Sequence, residues 1–481
     1  MPDHTPMMAR SALAGLIAGL AVFSAALVIP PPAGLTVTGW QTLGLALVMA
    51  IWWSTEPVPI GITALLPMIV LPILGNGDIA AAAAPYGNPL VFLFLGGFML
   101  AMAVQRWGLH RRLAWQVLRL VGTRPARLVL GVMVAVGFLS MWISNTAAAL
   151  LMLPVALSVI AVTEGGDAPA QRRFALALLL GLAYAANIGG VGTLIGTPPN
   201  ALLAGYLAES HGIDLSFALW AAVGVPLVAV FLPLGWWVLV RLVFPVAPEL
   251  SSGGTADPVA ALKPGRIGPA ERRVALVFAA AALLWIARPL LNRLPVLEGL
   301  SDAGIALGCA LALFLIPAGQ ERRFLLIWDE AKTIPWQVLL LFGGGLSLAA
   351  AMERSGLAEW IGAGFADLGA VPPIVLLLAL SATVILLTEL VSNTAVVAAL
   401  LPITAAIAAG TGMDVVVLSA AVAMAASCAF MLPAATPPNA LVFASGHVTV
   451  AMMMRAGVVM NVLSVGLVSL TAWVLGPLVA P

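Results

Sequence analysis

Long apolar runs, separated by short polar segments, fill almost the whole chain. Most of them reach the ~20 residues that an α-helix needs to cross the hydrocarbon core of a bilayer. We therefore predict about eleven membrane-spanning helices. No convincing signal-peptide cleavage site follows the first apolar run, so we interpret it as a transmembrane helix. They lie near residues 11–29, 36–54, 57–74, 87–105, 174–206, 217–244, 272–290, 302–318, 336–353, 413–444 and 452–478.

Two further apolar stretches, residues 126–162 and 371–409, each contain a polar interruption at mid-length. This pattern favours a re-entrant hairpin, which enters the membrane and leaves it on the same side. The predicted fold is therefore an all-α polytopic membrane protein with about eleven transmembrane helices and two re-entrant hairpins.

Composition and charge agree with a membrane protein. Hydrophobic residues make up 62% of the chain and charged residues 9%, whereas soluble domains carry roughly 25% charged residues. The net charge of +1 gives no indication of a nucleic-acid partner. With a cytoplasmic N-terminus, most Lys and Arg residues fall in cytoplasmic loops, as in residues 106–127 and 263–273. We therefore expect a multi-pass protein of the inner (plasma) membrane with its N-terminus in the cytoplasm.

The chain contains an internal repeat. An Arg-x-Gly-Leu word at residues 106–109 and a Ser-Asn-Thr word at residues 144–146 recur 248 residues later, at 354–357 and 392–394. A Thr-Pro-Pro-Asn word at residues 197–200 recurs 239 residues later, at 436–439. Five predicted spanning helices separate equivalent points, and an odd number inverts the second copy across the membrane. Inverted repeats with matching interruptions are typical of secondary transporters.

The repeat divides the chain into four parts. These are an N-terminal transmembrane helix (1–34), a first inverted repeat (35–246) with its hairpin near 126–162, a cytosolic linker (247–271), and a second inverted repeat (272–481) with its hairpin near 371–409.

The repeated words predict interrupted helices. Ser, Asn and Thr break an apolar helix by bonding their own backbone, and they cap the helix that follows. Proline disrupts a helix from within but is tolerated at the first position of a new one. The spans 174–206 and 413–444 should therefore break at mid-membrane and restart. Irregular backbone at that depth persists only where it lines a protein cavity.

Four helix N-termini, two from hairpins and two from broken helices, should meet in this cavity. Helix N-termini attract anions, and the freed carbonyls with Ser, Thr and Asn oxygens suit a hard monovalent cation. The tips and breaks themselves contain no Lys, Arg or His, so bound sodium should offset the charge of the substrate. Glu389 is equally consistent with a functional carboxylate and with a bond to neighbouring backbone, whereas Glu56 is expected at a solvated helix end.

These words resemble the divalent anion:sodium symporter family, the INDY-like carriers. Residues 54–59 and 388–394 are also similar to that family, and the match covers residues 35 to 478. The resemblance implies a homodimeric carrier that couples sodium influx to uptake of C4-type dicarboxylates (succinate, malate, fumarate) by an elevator mechanism. A dicarboxylate exchanger and a carrier for sulfate or citrate are the alternatives. An enzyme is disfavoured, because the sequence places no nucleophile–base pair at membrane depth.

The resemblance also implies roles for individual residues, with two or more sodium sites. One sodium site would use Ser140, Ser144, Asn145 and the backbone near Gly196, and the other Thr388, Ser392, Asn393 and the backbone near Ala435. The substrate would contact Asn145, Thr146, Asn393, Thr394 and the backbone at Thr197, Pro198, Thr436 and Pro437.

Overall fold

A computed structural model describes residues 10–162, 168–248, 263–319, 322–365 and 371–479. Residues 249–262, which form most of the predicted linker 247–271, lie outside the described residues. Across the described ranges the protein is helical, with a single isolated β-bridge between Pro317 and Phe324.

Within the described residues, twelve α-helices precede the linker. They are α1 (Arg10–Val28), α2 (Val37–Thr55), α3 (Ile60–Thr63), α4 (Leu66–Ile73), α5 (Ile79–Ala83), α6 (Pro89–Arg106), α7 (Leu109–Val121), α8 (Pro125–Ser140), α9 (Asn145–Val162), α10 (Ala168–Gly190), α11 (Pro198–His211) and α12 (Phe217–Trp237).

Ten helices follow the linker. They are α13 (Pro269–Leu291), α14 (Asp302–Leu315), α15 (Trp328–Ala331), α16 (Trp336–Arg354), α17 (Leu357–Gly364), α18 (Pro373–Thr388), α19 (Asn393–Thr411), α20 (Val415–Ala426), α21 (Pro437–Ala444) and α22 (Val450–Leu475).

The internal repeat is visible in the helix bounds. Helices α8 and α18 begin and end at positions that differ by 248 residues, and α11 and α21 begin at positions that differ by 239 residues. The joints before α7 and α17 are also alike, because Gly108 and Gly356 both have φ of 74°. Only glycine adopts this left-handed conformation without strain. The equivalent backbone therefore follows from equivalent words in the sequence.

Both predicted hairpins are helix–turn–helix units, and both predicted breaks are present. Helices α8 and α9 flank residues 141–144, and α18 and α19 flank residues 389–392. The span predicted at 174–206 is α10 and α11, and the span predicted at 413–444 is α20 and α21.

The predicted number of eleven spanning helices is not reproduced by length alone. Within the described residues, eight helices are long and apolar enough to cross a bilayer. The span predicted at 57–74 is wrong as a single helix, because it consists of the short helices α3 and α4. Proline explains this difference: Pro59, Pro67 and Pro72 remove backbone donors within that stretch. The span predicted at 302–318 is also shorter, since α14 ends at Leu315.

Helix α10 forms the centre of the molecule. Every residue from Phe174 to Gly190 is buried, and the helix packs against α8, α9 and α21. Two glycine clusters, at residues 96–97 and 343–345, allow close helix packing. A Cβ atom on Gly96 would lie 2.6 Å from the carbonyl carbon of Ala306, and one on Gly344 would lie 2.2 Å from the Ala64 oxygen.

Ion pairs at both ends of α13 hold helix ends together. Arg112 on α7 donates to Glu271 at the start of α13, at 2.5 and 3.0 Å. The mutual hydrogen bond raises the pKa of Arg112 further above its ordinary value. Arg288 bridges Asp214 and Asp302 at the far end of α13.

Candidate functional site

The two hairpin tips place their Ser-Asn-Thr words at the start of a helix. Helix α9 begins at Asn145, and the Ser144 hydroxyl accepts a bond from the Ala147 N–H at 3.3 Å. Helix α19 begins at Asn393 with Ser392 in the N-cap position, although its side chain makes no capping bond. The predicted capping is therefore present at the first tip and absent at the second. At both tips the N–H groups of the first helical turn have no acceptor within the helix and point outward beyond its N-terminus, as an anion site requires.

The two breaks have nearly the same backbone. Thr197 has φ of −143° and ψ of 142°, and Thr436 has φ of −142° and ψ of 149°. Each threonine is the N-cap of a helix whose first two residues are proline. Proline is suited to this place, because its missing N–H would have no partner within the helix. The words thus end one helix and begin the next, as predicted.

The asparagine of each Thr-Pro-Pro-Asn word clamps its break, a role that the sequence analysis missed. Asn200 Nδ2 donates to the carbonyl oxygens of Gly190, Val191 and Thr193 at 3.1, 3.2 and 2.8 Å. Asn439 Nδ2 donates to Ala429 and Leu432 at 3.2 and 3.1 Å. Gly190 and Ala429 are repeat-equivalent, as are Thr193 and Leu432. The clamps satisfy carbonyls that the interrupted helices leave free.

Tips and breaks surround one cavity of about 940 Å³. All eight predicted substrate-binding residues line it, and so do six of the eight predicted cation ligands, because Asn145 and Asn393 belong to both sets. These lining residues are Asn145, Thr146, Thr197, Pro198, Asn393, Thr394, Thr436, Pro437, Ser144, Gly196, Ser392 and Ala435. The remaining two predicted cation ligands, Ser140 and Thr388, are fully buried behind the lining.

A second part of the cavity wall comes from α2, α6 and the start of α16. It includes Trp53, Phe94, Phe98 and Val338. Glu56, which was expected at a solvated helix end, is exposed and lies at this wall. It is the one ionisable side chain among the described lining residues, so no Lys, Arg or His faces the cavity there. An anion in this cavity would therefore meet helix N-termini and polar side chains rather than cations.

The first predicted cation site brings several oxygens together around the Asn145 amide. The amide atom that faces them lies 2.7 Å from Ser140 Oγ, 3.1 Å from the Ala186 carbonyl oxygen and 3.3 Å from that of Gly196. This atom is best assigned as Nδ2, which donates to all three oxygens and so gathers them around Asn145. Two glycines make the approach possible: a Cβ atom on Gly190 would lie 2.3 Å from this amide atom, and one on Gly196 would lie 2.9 Å from the Ser140 carbonyl oxygen.

The second predicted cation site is less complete. The Thr388 hydroxyl donates to the Ile385 carbonyl at 3.0 Å, within its own helix. Asn393 Oδ1 is buried and makes no hydrogen bond within the described part of the chain. A buried carbonyl oxygen without a partner is costly, so a cation at this atom would offset that cost.

Glu389 joins the second tip to the second break. Its carboxyl group accepts bonds from the backbone N–H groups of Phe430, Met431 and Leu432 at 2.8, 2.9 and 3.0 Å. A fourth bond comes from Asn461 Nδ2 at 2.8 Å. Of the two alternatives for Glu389, the structure therefore shows a bond to backbone, although that backbone is distant in sequence rather than neighbouring. The sequence could not identify these partners.

Comparisons with known proteins agree along the length of the chain. A family model described as "Sodium:sulfate symporter transmembrane region" matches residues 10–480. The sodium-dependent dicarboxylate transporter SdcS of Staphylococcus saprophyticus subsp. saprophyticus is 40% identical over 474 residues, covering 97% of this chain and 91% of that protein. The protein of the same name from Staphylococcus aureus (strain USA300) is 39% identical over 476 residues, covering 97% and 92%.

A solved structure has a similar fold. The YdaH transporter of Alcanivorax borkumensis matches with a TM-score of 0.58 over 98% of both chains, at 15% sequence identity. At this identity the likeness concerns the fold alone.

Proposed function

Since the chain belongs to the sodium:sulfate symporter family, we propose that it is a secondary active transporter that couples sodium influx to uptake of C4-type dicarboxylates. Succinate, malate and fumarate are the proposed substrates. The membership confirms the resemblance to divalent anion:sodium symporters, and it points to a transporter rather than an enzyme. The protein is accordingly a polytopic membrane protein, and we place it in the plasma membrane with a cytoplasmic N-terminus.

The observation that carries this proposal is the cavity. Both Ser-Asn-Thr words and the Thr-Pro-Pro residues of both breaks line it, and its described lining contains no basic side chain. Helix N-termini can bind two carboxylates without a basic residue, but a net charge of about −2 taken out of water needs further compensation. The oxygens around Asn145 supply a place for a cation that provides it. Coupling follows, because the dianion binds well only when sodium is present.

The direct test is uptake of radiolabelled succinate into proteoliposomes with and without an inward sodium gradient. Asn145→Ala and Asn393→Ala should each abolish sodium-dependent uptake, because each removes an amide from the cavity lining. Ser158→Ala is the matched control: Ser158 lies exposed on α9, where its hydroxyl bonds only the Pro154 carbonyl. Undiminished uptake with sodium replaced by choline would contradict the proposal.

Two alternatives are decided by the same assay. Uptake that is indifferent to sodium but needs internal succinate would indicate a dicarboxylate exchanger. Absent succinate uptake together with uptake of sulfate or citrate would reassign the substrate, and the family description mentions sulfate.

We further propose that transport is an elevator movement in a homodimer. The support is the composition of the cavity wall: part of it consists of the hairpins and broken helices, and the rest of α2, α6 and the start of α16. A substrate bound between two such groups is exposed to either side when one group slides past the other. The mass of the detergent-purified protein, measured by light scattering, tests the dimer.

A further inference from the structure

Asp214, Arg288 and Asp302 form an ionic triad at the far end of α13. Arg288 contacts Asp302 at 3.0 Å and also pairs with Asp214. The side chains of Arg288 and Asp302 are mostly buried, at 12% and 7% exposure, whereas that of Asp214 is 73% exposed. Asp302 also accepts a bond at 2.7 Å from the N–H of Phe217, the first residue of α12. The triad therefore joins the starts of α12 and α14 to the end of α13.

The triad connects two groups of helices. Helix α12 packs against α8 and α10, so it belongs with the hairpins and broken helices, which we call the hairpin group. Helices α13 and α14 pack against each other and against α6, so they belong with α2, α6 and α16, the wall group. Asp214 lies in the connection between α11 and α12, on the hairpin group. The contacts of Asp214 with Arg288 and of Phe217 with Asp302 therefore cross between the groups.

The triad lies away from the exposed side of the cavity. Glu56 and Thr333, which line the cavity, are exposed at that side. The end of α14 lies beside the segment that leads to Thr333, because the Leu326 N–H donates to the Leu313 carbonyl. Asp302 begins α14, whose 14 residues span about 21 Å. The triad is thus at the opposite end of α14, and none of its three members is among the described lining residues.

The crossing contacts can open without leaving an isolated charge. If the start of α12 moves away, Arg288 and Asp302 remain paired with each other, and Trp285 Nε1 remains bonded to the Asp302 carbonyl at 3.1 Å. Asp214 is already largely exposed, so water can replace its contact at small cost. A buried arginine without an anion would be far more costly. The triad therefore opposes movement of the hairpin group modestly and reversibly.

We propose that this triad is a latch, which holds the carrier in the state whose cavity is exposed beside Glu56. The crossing contacts of Asp214 and Phe217 break when the hairpin group moves past the wall group. Their strength sets the population of the state that opens to the opposite side. The inference rests on the proposed elevator movement, and it adds a contact that controls how often that movement occurs.

Chemical labelling of the cavity measures the two states. Leu390 lines the cavity at the second tip and is 75% exposed. Leu390→Cys should therefore react with a membrane-impermeant maleimide from whichever side the cavity faces. The labelling rates in right-side-out and inverted membrane vesicles give the ratio of the two populations. Native Cys309 and Cys428 are buried and should add little background.

Asp214→Ala should loosen the latch. It removes one crossing contact at an exposed position, so the protein should still fold. Labelling from the side opposite to Glu56 should rise roughly threefold, a change typical of the loss of a partly exposed ion pair. The population of the minor state is the sensitive quantity, because the major state can lose only a small fraction of its population.

Asp302→Asn should have the opposite effect. The asparagine oxygen can still accept from the Phe217 N–H, but Arg288 then has Asp214 as its anionic partner. Opening would carry Asp214 away and leave a buried cation unpaired. Labelling from the side opposite to Glu56 should therefore fall by roughly tenfold or more. A network that only supported the fold would be weakened by both substitutions and would not move the ratio in opposite directions.

Glu330→Gln is the matched control. Glu330 pairs with Arg106 and Arg323 within the wall group, at 2.9 and 2.6 Å. Its substitution breaks ion pairs of similar length that do not cross to the hairpin group. The labelling ratio should therefore stay at the wild-type value.

The outcomes separate the latch from the proposals on which it rests. A ratio unchanged by Asp214→Ala, or raised by both triad substitutions, would overturn the latch. If Asp302→Asn does not fold, Arg288→Lys replaces it: one ammonium group does not bridge two carboxylates as a guanidinium does, so the ratio should rise, and an unchanged ratio would overturn the latch. Labelling needs no substrate, so absent sodium-dependent succinate uptake would count against the proposed function alone. Labelling from one side only, in the wild-type background and in every variant, would overturn the latch and the elevator movement together.

Discussion

Glu389 and Met141 occupy equivalent positions at the ends of the two hairpin helices, yet they connect tip and break differently. In the second half, the Glu389 carboxyl group accepts three backbone N–H groups of the break. In the first half, the Thr193 hydroxyl donates to the Met141 backbone carbonyl. Tip and break are thus joined by three side-chain bonds in the second repeat and by one in the first. In the second repeat, Asn461 on α22 adds a fourth bond to the Glu389 carboxyl group.

Glu389→Gln should therefore damage the second half strongly. A glutamine amide places a donor against backbone donors, so at least one buried N–H loses its acceptor, at a cost of roughly 2–3 kcal/mol. We expect a lower thermal midpoint in detergent and reduced sodium-dependent succinate uptake. Thr193→Val is the matched control, because it removes the single bond of the first half and should cost about 1 kcal/mol. Equal effects of the two variants would show that the charge of Glu389 adds nothing.

The clamp asparagines make a second prediction at this scale. Asn200→Asp and Asn439→Asp preserve shape but direct a carboxylate oxygen at the carbonyls that each amide now satisfies. Both variants should lose most sodium-dependent uptake, because the break can no longer keep its Thr-Pro start in place. Asn292→Asp is the control, since Asn292 bonds only the Leu300 carbonyl, far from the cavity. Normal uptake by Asn200→Asp would mean that the break does not depend on its clamp.

Among the elements, the joint between α6 and α7 is held by a small ionic cluster. Trp107 Nε1 donates to the Leu325 carbonyl at 2.7 Å, and Arg106 and Arg323 lie over its ring at 5.7 and 5.6 Å. Both arginines also contact Glu330, at 2.9 and 2.6 Å. Partial burial opposes ionisation of Glu330, but the Arg323 hydrogen bond and charge prevail and lower its pKa.

This lowered pKa gives a pH dependence. Ionised Glu330 stabilises the folded state above its unfolded pKa of roughly 4.3, and the contribution is lost as pH falls through the lower folded value. Glu330→Gln should lower stability at pH 7 by at most about 1 kcal/mol, because the cluster is partly exposed. The difference from wild type, measured as thermal midpoint in detergent, should shrink below roughly pH 4.

Glu359→Gln serves as the control for this pH dependence, because Glu359 is exposed on α17. The thermal midpoint of Glu359→Gln should match that of the wild type at every pH measured. A Glu330→Gln deficit that persists unchanged below pH 4 would contradict the role of ionisation.

Elements with local causes were predictable from the sequence, whereas elements with distant causes were not. The breaks before Pro198 and Pro437 follow from proline chemistry at those residues. The partners of Glu389 lie 41 to 72 residues away, and Asn187 meets Thr436 across 249 residues. Periodicity and local words carry no information about such contacts. The prediction of a single helix over 57–74 was wrong for a local reason. The prolines that divide this stretch were visible in the sequence, but its hydrophobicity was given more weight.

For the whole molecule, the decisive feature is that two nearly equivalent backbones carry different side chains. The repeat supplies two hairpins and two breaks with matching bounds. Asn187 and Glu389 each belong to one half only, since Ala426 and Met141 occupy the equivalent positions. Under the proposed transport cycle, unequal halves would give the inward and outward states different affinities for the same ligands.

The elevator proposal predicts which cross-links block transport. Met102 lies on the part of the wall formed by α2, α6 and α16, and Ala434 lies on the part beside the second break. A bifunctional thiol reagent that joins Met102→Cys to Ala434→Cys should abolish sodium-dependent succinate uptake, because the two groups can no longer slide. Reduction of a disulfide-containing linker should restore uptake. The native Cys309 and Cys428 are buried and should contribute little background.

The matched control joins two positions on one wall. Ser54→Cys and Thr333→Cys both lie on the side formed by α2 and the segment before α16, so a cross-link between them should leave uptake near the wild-type rate. Loss of transport in this pair as well would indicate that any cross-link at the cavity blocks uptake, so the result with Met102 and Ala434 would not report on movement between the two parts of the wall. Persistent transport in a fully cross-linked Met102/Ala434 pair would exclude sliding of these two walls, and local gating at the hairpin tips would then have to open the cavity.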